Sequence, residues 1–260
     1  AFDGTGYGSD GTIWGGELLL GGLAEVDRIG HLATVSLPGG DAAVRRPLRT
    51  SLAHLHAAGI PLADDLPPVR DAEGPETSVV AQMLATGTGC TPTTSMGRLF
   101  DAVASLLDVR HQNDYEGQAA VELEALAATA GRAADGWAID VRDEDGGIVL
   151  DPTPAVAAAV AGLRARTPAA EASAAFHAAL ADAVARAAVL ARESWGVRTV
   201  GLTGGVFANS LLTRLCQGRL GAEGFTVLVH RLVPPNDGGL ALGQVAVAAS
   251  GGARTAEGSI

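Results

Sequence analysis

Lysine is missing from this chain of 260 residues, and all 18 basic residues are arginine. That excludes a Schiff-base lysine and the lysine of a phosphate-binding P-loop. The uniform arginine reads as codon bias toward GC-rich DNA. Cysteine is scarce. Cys90 and Cys216 lie far apart with no second cysteine near either, so a CxxC zinc or redox site is excluded. A reducing, cytoplasmic setting is expected. The six histidines show no HxxxH or HExxH spacing, and His54 and His56, two apart, do not share a helix face. Aromatics make up 4 %, so the core must be built from Ala, Val and Leu. Positive charge is in deficit: the net charge is −11 and the pI about 4.9. Nucleic acid is therefore not an expected partner, since phosphate binding needs a basic stripe. No run of 18 apolar residues predicts a membrane span, and no signal peptide opens the chain.

What is present is a folding composition, 47 % hydrophobic and 18 % charged, with 35 glycines. The length suits one large domain over 1–250, with 251–260 expected as a disordered tail. The missing initiator Met and the abrupt glycine-rich start read as an N-terminally truncated fragment. Residues 1–22 predict tight hairpins, and 23–50 predict short strands ending at Leu37-Pro38-Gly39-Gly40-Asp41. Helices are expected over 47–58, 78–86, from Ser95 onward, 117–134, 152–164 and 170–194, with a Pro- and Asp-rich loop over 61–76. A hairpin is expected over 135–150, turning at Asp145-Gly146-Gly147. The last quarter reads as α/β, with a buried strand at 199–203, a helix at 209–220, a strand at 225–230 and a helix at 240–249. The apolar stripe of the 170–194 helix suits either this core or another lobe.

Five segments have the residue types that chemistry needs. Asp3-Gly4-Thr5-Gly6 offers a carboxylate for a metal and backbone N–H groups for phosphate oxygens, or an ordinary glycine hairpin. Gly204-Gly205-Val206-Phe207-Ala208-Asn209 joins a strand to a helix. Its glycines would admit a flat ligand, Asn209 suits an adenine edge, and the helix N-terminus suits an anion; alternatively Asn209 is a cap. In Pro234-Pro235-Asn236-Asp237-Gly238-Gly239, Asp237 is a cation ligand or an N-cap. In Ser95-Met96-Gly97-Arg98-Leu99-Phe100-Asp101, Asp101 would accept from ribose hydroxyls and Arg98 would meet a phosphate or carboxylate. The alternative is a solvated Arg98–Asp101 pair. Tyr115-Glu116-Gly117-Gln118 places Glu116 to bind a hydroxyl or hold Arg98, with Glu122 and Glu124 facing solvent. Cys216 reads as a core residue.

Taken together and in this order, these segments closely resemble the carbamoyltransferase domain of HypF-type hydrogenase maturation proteins. The resemblance rests on the run Asp3-Gly4-Thr5-Gly6-Tyr7-Gly8 continued by Asp10-Gly11-Thr12-Ile13-Trp14-Gly15-Gly16-Glu17. It also rests on Leu37-Pro38-Gly39-Gly40-Asp41, Gly97-Arg98-Leu99-Phe100-Asp101-Ala102-Val103 and Tyr115-Glu116-Gly117-Gln118-Ala119-Ala120. The motif at 204–209 and the run Asp237-Gly238-Gly239-Leu240-Ala241-Leu242-Gly243-Gln244 complete it. Antibiotic O-carbamoyltransferases and tRNA threonylcarbamoyl transferases share the nucleotide-binding architecture. The resemblance implies an α/β fold of the ASKHA (actin/Hsp70/sugar-kinase-like) class, a ribonuclease-H-like lobe with added helices. It implies that a YrdC-like domain makes carbamoyl-adenylate from carbamoyl phosphate and ATP. The domain resembled here then passes the carbamoyl group to the C-terminal cysteine of HypE, the precursor of the cyanide ligand of [NiFe]-hydrogenase.

Residue by residue, the resemblance makes Asp237 a metal-binding catalytic aspartate, with Asp3 in the phosphate-side motif near the same metal (Mg, Fe or Zn). Gly4, Thr5 and Gly6 fall to the phosphates. Gly204, Gly205 and Asn209 fall to adenosine, Gly97, Arg98 and Asp101 to the ribose side, with Glu116 adjacent and Gly238 and Gly239 beside Asp237. The family's His-x-x-x-His metal motif, upstream of the Asp3 run, is absent, as are the YrdC-like and zinc-finger regions. The isolated fragment is therefore expected to be inactive. Two other readings are a small-molecule O-carbamoyltransferase and a non-catalytic nucleotide-binding or docking module.

Overall fold

The computed structural model describes residues 1–23, 25–144 and 146–251. The chain opens as the expected hairpin. Strand β1 (Phe2–Tyr7) runs antiparallel to β2 (Ile13–Gly21), with Gly6 opposite Trp14 and Tyr7 opposite Ile13. Asp10 ties the turn together. Its Oδ1 accepts from Thr12 N at 3.0 Å, Thr12 Oγ1 at 2.7 Å and Trp14 Nε1 at 2.9 Å. Led by the Thr12 hydroxyl, these bonds hold its carboxyl down to about 2. Arg28 donates to Asp10 at 2.8 Å and to Glu17 at 2.6 Å, and lies 4.3 Å over the Trp14 ring. Glu17 also accepts the backbone N–H of Gly15 and Gly16. Half of the Asp3–Glu17 run is thus a scaffold, fixing the strand that carries Asp3.

Strands β3 (Val26–Leu32), β4 (Val35–Pro38), β5 (Cys90–Thr93), β6 (Asp140–Glu144) and β7 (Gly147–Asp151) extend the sheet. Their order is β4-β5-β2-β3-β7-β6, with β1 on β2. Short connections make β2–β3 and β6–β7 antiparallel. The parallel pairs β2–β5 and β3–β7 need long crossovers, which the helices supply.

The helices are α1 (Asp41–Arg45), α2 (Pro47–Ala57), α3 (Pro67–Asp71), α4 (Glu76–Thr86), α5 (Met96–Leu106), α6 (Gln118–Ala127), α7 (Thr153–Arg164) and α8 (Ala169–Trp195). The last quarter holds β8 (Thr199–Leu202), α9 (Ser210–Ala222) and β9 (Thr226–Val229), a parallel strand pair joined across a helix. Short 3₁₀ turns occupy Gly205–Ala208 and Asp237–Gly239, and α10 (Leu240–Gly251) follows. The hydrophobic core runs through α2, α5, α6, α7 and α8 and the inner sheet face, with Ala, Val and Leu predominant and Phe2, Phe100 and Phe176 its largest members.

Several expectations are corrected. The loop over 61–76 contains α3, started by Pro67 and Pro68, whose fixed φ suits a first helical turn. α1 and β5 form where the residue pattern predicts no element of their kind. α6 stops at Ala127, not 134: the Thr129 hydroxyl bonds back to the Leu126 carbonyl and Gly131 follows. β8 is mostly exposed rather than buried, only Leu202 being enclosed. Strands flank the expected turn at 145–147, but Asp145 lies outside the described residues, as does the tail beyond Gly251.

The 27-residue α8 has the length and mean hydropathy of a bilayer span, but two-thirds of its most apolar window is buried within the protein, as in the core helix of a globular domain. Phe176, Leu180 and Val184 face this core, which settles the direction of its stripe.

Candidate functional site

A cleft of about 440 Å³ gathers residues from the five segments read from sequence. Asp3 and Gly4 come from β1; Gly97, Arg98 and Asp101 from α5; Glu116 from the turn before α6. Gly205 and Asn209 come from the turn before α9, and Asp237 and Gly238 from the turn before α10. A cleft of this size suits a nucleotide-sized ligand.

Local chemistry explains how these residues meet. The β1–β2 register shifts between Phe2 and Gly6, a bulge that frees the Asp3–Gly4 stretch from the ladder beside the cleft. The Phe2 N–H donates to the Thr203 carbonyl at 2.8 Å, and the Gly204 N–H to the Pro235 carbonyl at 2.8 Å. The segments at 3–6, 204–209 and 234–239 are thereby stitched into one wall. Gly204 adopts φ +99°, and a β-carbon there would lie 2.1 Å from the Phe2 carbonyl oxygen. Its glycine serves this close backbone approach and not a ligand. At Gly205 a β-carbon would lie 2.9 Å from Asp3 Oδ1, so that glycine makes room for the carboxylate.

Asp3 Oδ1 accepts the N–H of Gly4 at 2.8 Å. Among the described residues, no hydrogen bond reaches Asp3 Oδ2 or the exposed Asp237 carboxylate. The cap expected of Asp237 falls to its neighbour: Asn236 Oδ1 accepts from Gly238 N at 3.1 Å. Asp237 is left free to face the cleft. Its oxygens and those of Asp3 are hard donors of the kind divalent cations take. Among the described residues, however, no three His, Cys, Asp or Glu side chains group to hold a metal. A cation here would need further donors from outside the chain, so the fit is that of a partial site.

Arg98 and Asp101 form the expected i,i+3 pair, at 2.9 Å, but the pair is buried, not solvated. Arg98 is held by Asp101 and not by Glu116. Neither Asp101 oxygen receives a well-directed hydrogen bond, and Arg98 Nε has none. Burial raises the Asp101 carboxyl to about 6 against the pull of Arg98. Both side chains thus have unused hydrogen-bonding capacity at the cleft wall. Glu116 is exposed, its Oε1 3.8 Å from where a β-carbon on Gly4 would lie.

At α9 the sequence reading changes most. Asn209 is the N-cap, its Oδ1 accepting from Leu212 N at 2.8 Å. Glu124, expected in solvent, reaches across from α6 and accepts from Ser210 N at 2.8 Å and Leu211 N at 3.1 Å. The first three N–H groups of α9 are therefore taken, and a carboxylate already occupies the anion position. This corner disfavours a phosphate and leaves Asn209, Val206 and Ala208 as a largely apolar wall suited to a base. Glu122 is likewise engaged, by Arg110, and not simply solvated. Thr5, Gly6, Gly204 and Gly239 do not line the cleft: Gly6 is tied to β2, and Gly239 closes the Asn236 turn at 2.9 Å.

Sequence reasoning missed His177, which is fully buried on α8 behind Asn209. Its lone position in an Ala-rich helix gave no spacing signal. His54 is buried and His56 exposed, as structural and surface residues. Cys216 is in the core, its thiol pushed up to about 12 by burial.

The chain as a whole matches a known family. Residues 1–244 match the family model described as the second subdomain of a carbamoyltransferase Kae1-like domain. The chain belongs to the HypF carbamoyltransferase family. It is 41 % identical to carbamoyltransferase HypF2 of Cupriavidus necator, over 95 % of this chain and 33 % of that protein. It is 40 % identical to carbamoyltransferase HypF of Rhodobacter capsulatus, over 95 % of this chain and 31 % of that protein. It superposes on full-length HypF crystallised in a phosphate- and nucleotide-bound form, with a TM-score of 0.85 and 32 % identity, over 96 % of this chain and 39 % of that one. The T. kodakarensis HypF crystal structure follows at 0.81 and 30 %. The fold is thus the mixed α/β, Kae1-like fold of the ASKHA class seen in HypF, and the chain spans about a third of the length of these HypF relatives.

Proposed function

We propose that this chain is the carbamoyl-transfer portion of a HypF-type enzyme and that its cleft binds carbamoyl-adenylate, made from ATP and carbamoyl phosphate. The observation that carries this reading is the convergence of five sequence-distant segments on one cleft with two chemically distinct ends. One end has the unbonded Oδ2 of Asp3 and the carboxylate of Asp237 beside small glycines. The other has an apolar wall at Val206–Asn209 whose helix terminus is already filled by Glu124. Phosphate with a cation suits the first end and a nucleoside the second. The HypF relative crystallised with phosphate and nucleotide supports the assignment.

In this reading Asp3 and Asp237 would hold a divalent cation together with donors from outside the chain. Such a cation, when bound, offsets phosphate charge and polarises the carbamoyl carbonyl. Asn209 and Gly205 hold the base and its sugar, and Asp101 and Glu116 accept from ribose hydroxyls. The acceptor is the C-terminal cysteine of a HypE-type protein. Its thiolate sulfur attacks the carbamoyl carbon, the carbon–oxygen bond to phosphate breaks, and AMP leaves with the electron pair. Neither cysteine of this chain suits the role of nucleophile: Cys216 is sealed in the core, and burial raises the thiol of the half-buried Cys90. The cytoplasm is the proposed location.

The test is Asp237→Ala in the complete polypeptide. Carbamoyl transfer to a HypE-type peptide should fall at least a hundredfold with the unfolding temperature unchanged. Undiminished transfer would sink the assigned role.

A further inference from the structure

His177 sits at 0 % exposure on α8, one layer behind the cleft. Its Nδ1 lies 2.7 Å from the Ser173 carbonyl oxygen. A carbonyl only accepts, so Nδ1 carries the proton, and Nε2 of the neutral ring is an acceptor. Nε2 lies 2.9 Å from Asn209 Nδ2, which donates to it. The same amide presents Oδ1 to the Leu212 N–H at 2.8 Å. The two contacts agree: one demands an amide nitrogen toward α8, the other an amide oxygen toward α9. A flipped Asn209 would set its NH₂ against the Leu212 donor and leave Nε2 unpaired, two faults at once in a buried place. The ring is itself fixed, edge-on to Phe100 at 5.4 Å and Phe176 at 5.8 Å. Phe100 is also a wall of the cleft. Burial lowers the pKa of His177, which keeps the ring in the accepting, neutral form.

We propose that His177 is a positioning residue for nucleotide recognition: through its Nε2 it locks the Asn209 amide in one orientation. One N–H and one lone pair of Asn209 then remain for the ligand. The inference rests on the nucleotide reading of the cleft. Its reach is that the specificity of the base end is set by a side chain that never touches the base.

The test uses the complete polypeptide, with the nucleotide site of its YrdC-like domain inactivated by mutation, and the β,γ-imido analogue of ATP, with affinity measured by calorimetry. Two substitutions separate the two ring nitrogens. His177→Asn retains a donor near the Nδ1 position, for Ser173, but is too short to reach Asn209. His177→Gln places an acceptor near the Nε2 position. The expected result is about tenfold weaker binding for His177→Asn and recovery to within about twofold for His177→Gln, one lost hydrogen bond being worth about one decade. In an Asn209→Ala background the His177→Asn change should cost nothing further. Equal affinity of His177→Asn and wild type, or an equal loss in the Asn209→Ala background, overturns the inference. If His177→Asn fails to fold, His177→Gln decides: near-native affinity supports the inference, and a tenfold loss in a folded protein overturns it. Absence of analogue binding by the wild type would instead overturn the nucleotide reading itself.

Discussion

α5 and α10 invert the usual relation between hydrophobicity and burial. α5 contains Arg98 and Asp101, yet all eleven of its residues are buried. α10, LALGQVAVAASG, contains no charged residue, yet leaves Leu240, Leu242, Val245 and Val247 between 52 % and 66 % exposed. The difference is location. α5 is wedged between β1, β2, α2 and α6, whereas the principal contact of α10 among the described residues is the turn at Asp237–Gly239. Burial is set by what surrounds an element, and a sequence records only what an element tolerates. The comparison also bears on function. The charged pair of α5 is held in a low-dielectric wall where its hydrogen-bonding capacity is costly to leave unused.

Three substitutions probe the contrast between these helices, with effects of decreasing size. The largest is expected from Leu99→Ala in α5, which should destabilise the chain by about 3 kcal/mol in denaturant unfolding, since it empties fully enclosed space. A loss below about 1 kcal/mol would show that α5 is not enclosed as described.

The next concerns His54, buried on α2 against α5, whose pKa is lowered by desolvation to about 4. The unfolded chain takes up this proton below about 6.5 and the folded chain does not until about 4, so stability falls as pH drops through that window. Asp101 acts in the opposite sense: its folded carboxyl is raised to about 6, so the folded chain takes up that proton first and gains stability as pH falls. His54→Leu should therefore reduce the stability lost between pH 7 and pH 4.5 by roughly 2 kcal/mol, read from urea midpoints at the two pH values. An unchanged difference would mean that His54 is accessible to solvent.

The smallest effect is expected in α10. Leu242→Ala should shift the stability of this chain by less than about 0.5 kcal/mol, because the side chain gives up little contact. A loss comparable to that of Leu99→Ala would collapse the contrast between the two helices.

Much of the candidate site was legible in the residues. Segments pairing small glycines with a carboxylate or amide — at 3–6, 97–101, 204–209 and 237–239 — do converge, because such turns are where a chain lets a ligand approach its backbone. Individual assignments within them were not legible. Gly204 and Gly205 are adjacent and identical, yet one backs onto Phe2 and the other lines the cleft. Glu122 and Glu124 had helical spacing suited to solvent, yet Arg110 claims the first and the N-terminus of α9 the second. Partners distant in sequence made those decisions, and no local pattern records them.

By itself, the sequence determined the excluded chemistries, the amphipathic helices, the hairpins around glycine and the set of polar residues available to a site. These follow from side-chain type and short-range periodicity. Only the tertiary structure decided that β8 is exposed, that Glu124 fills the N-terminus of α9, and that His177 stands behind Asn209. Each of these depends on which group, tens of residues away, completes a hydrogen bond or excludes water. That is a property of packing in three dimensions, not of neighbouring residues in the chain.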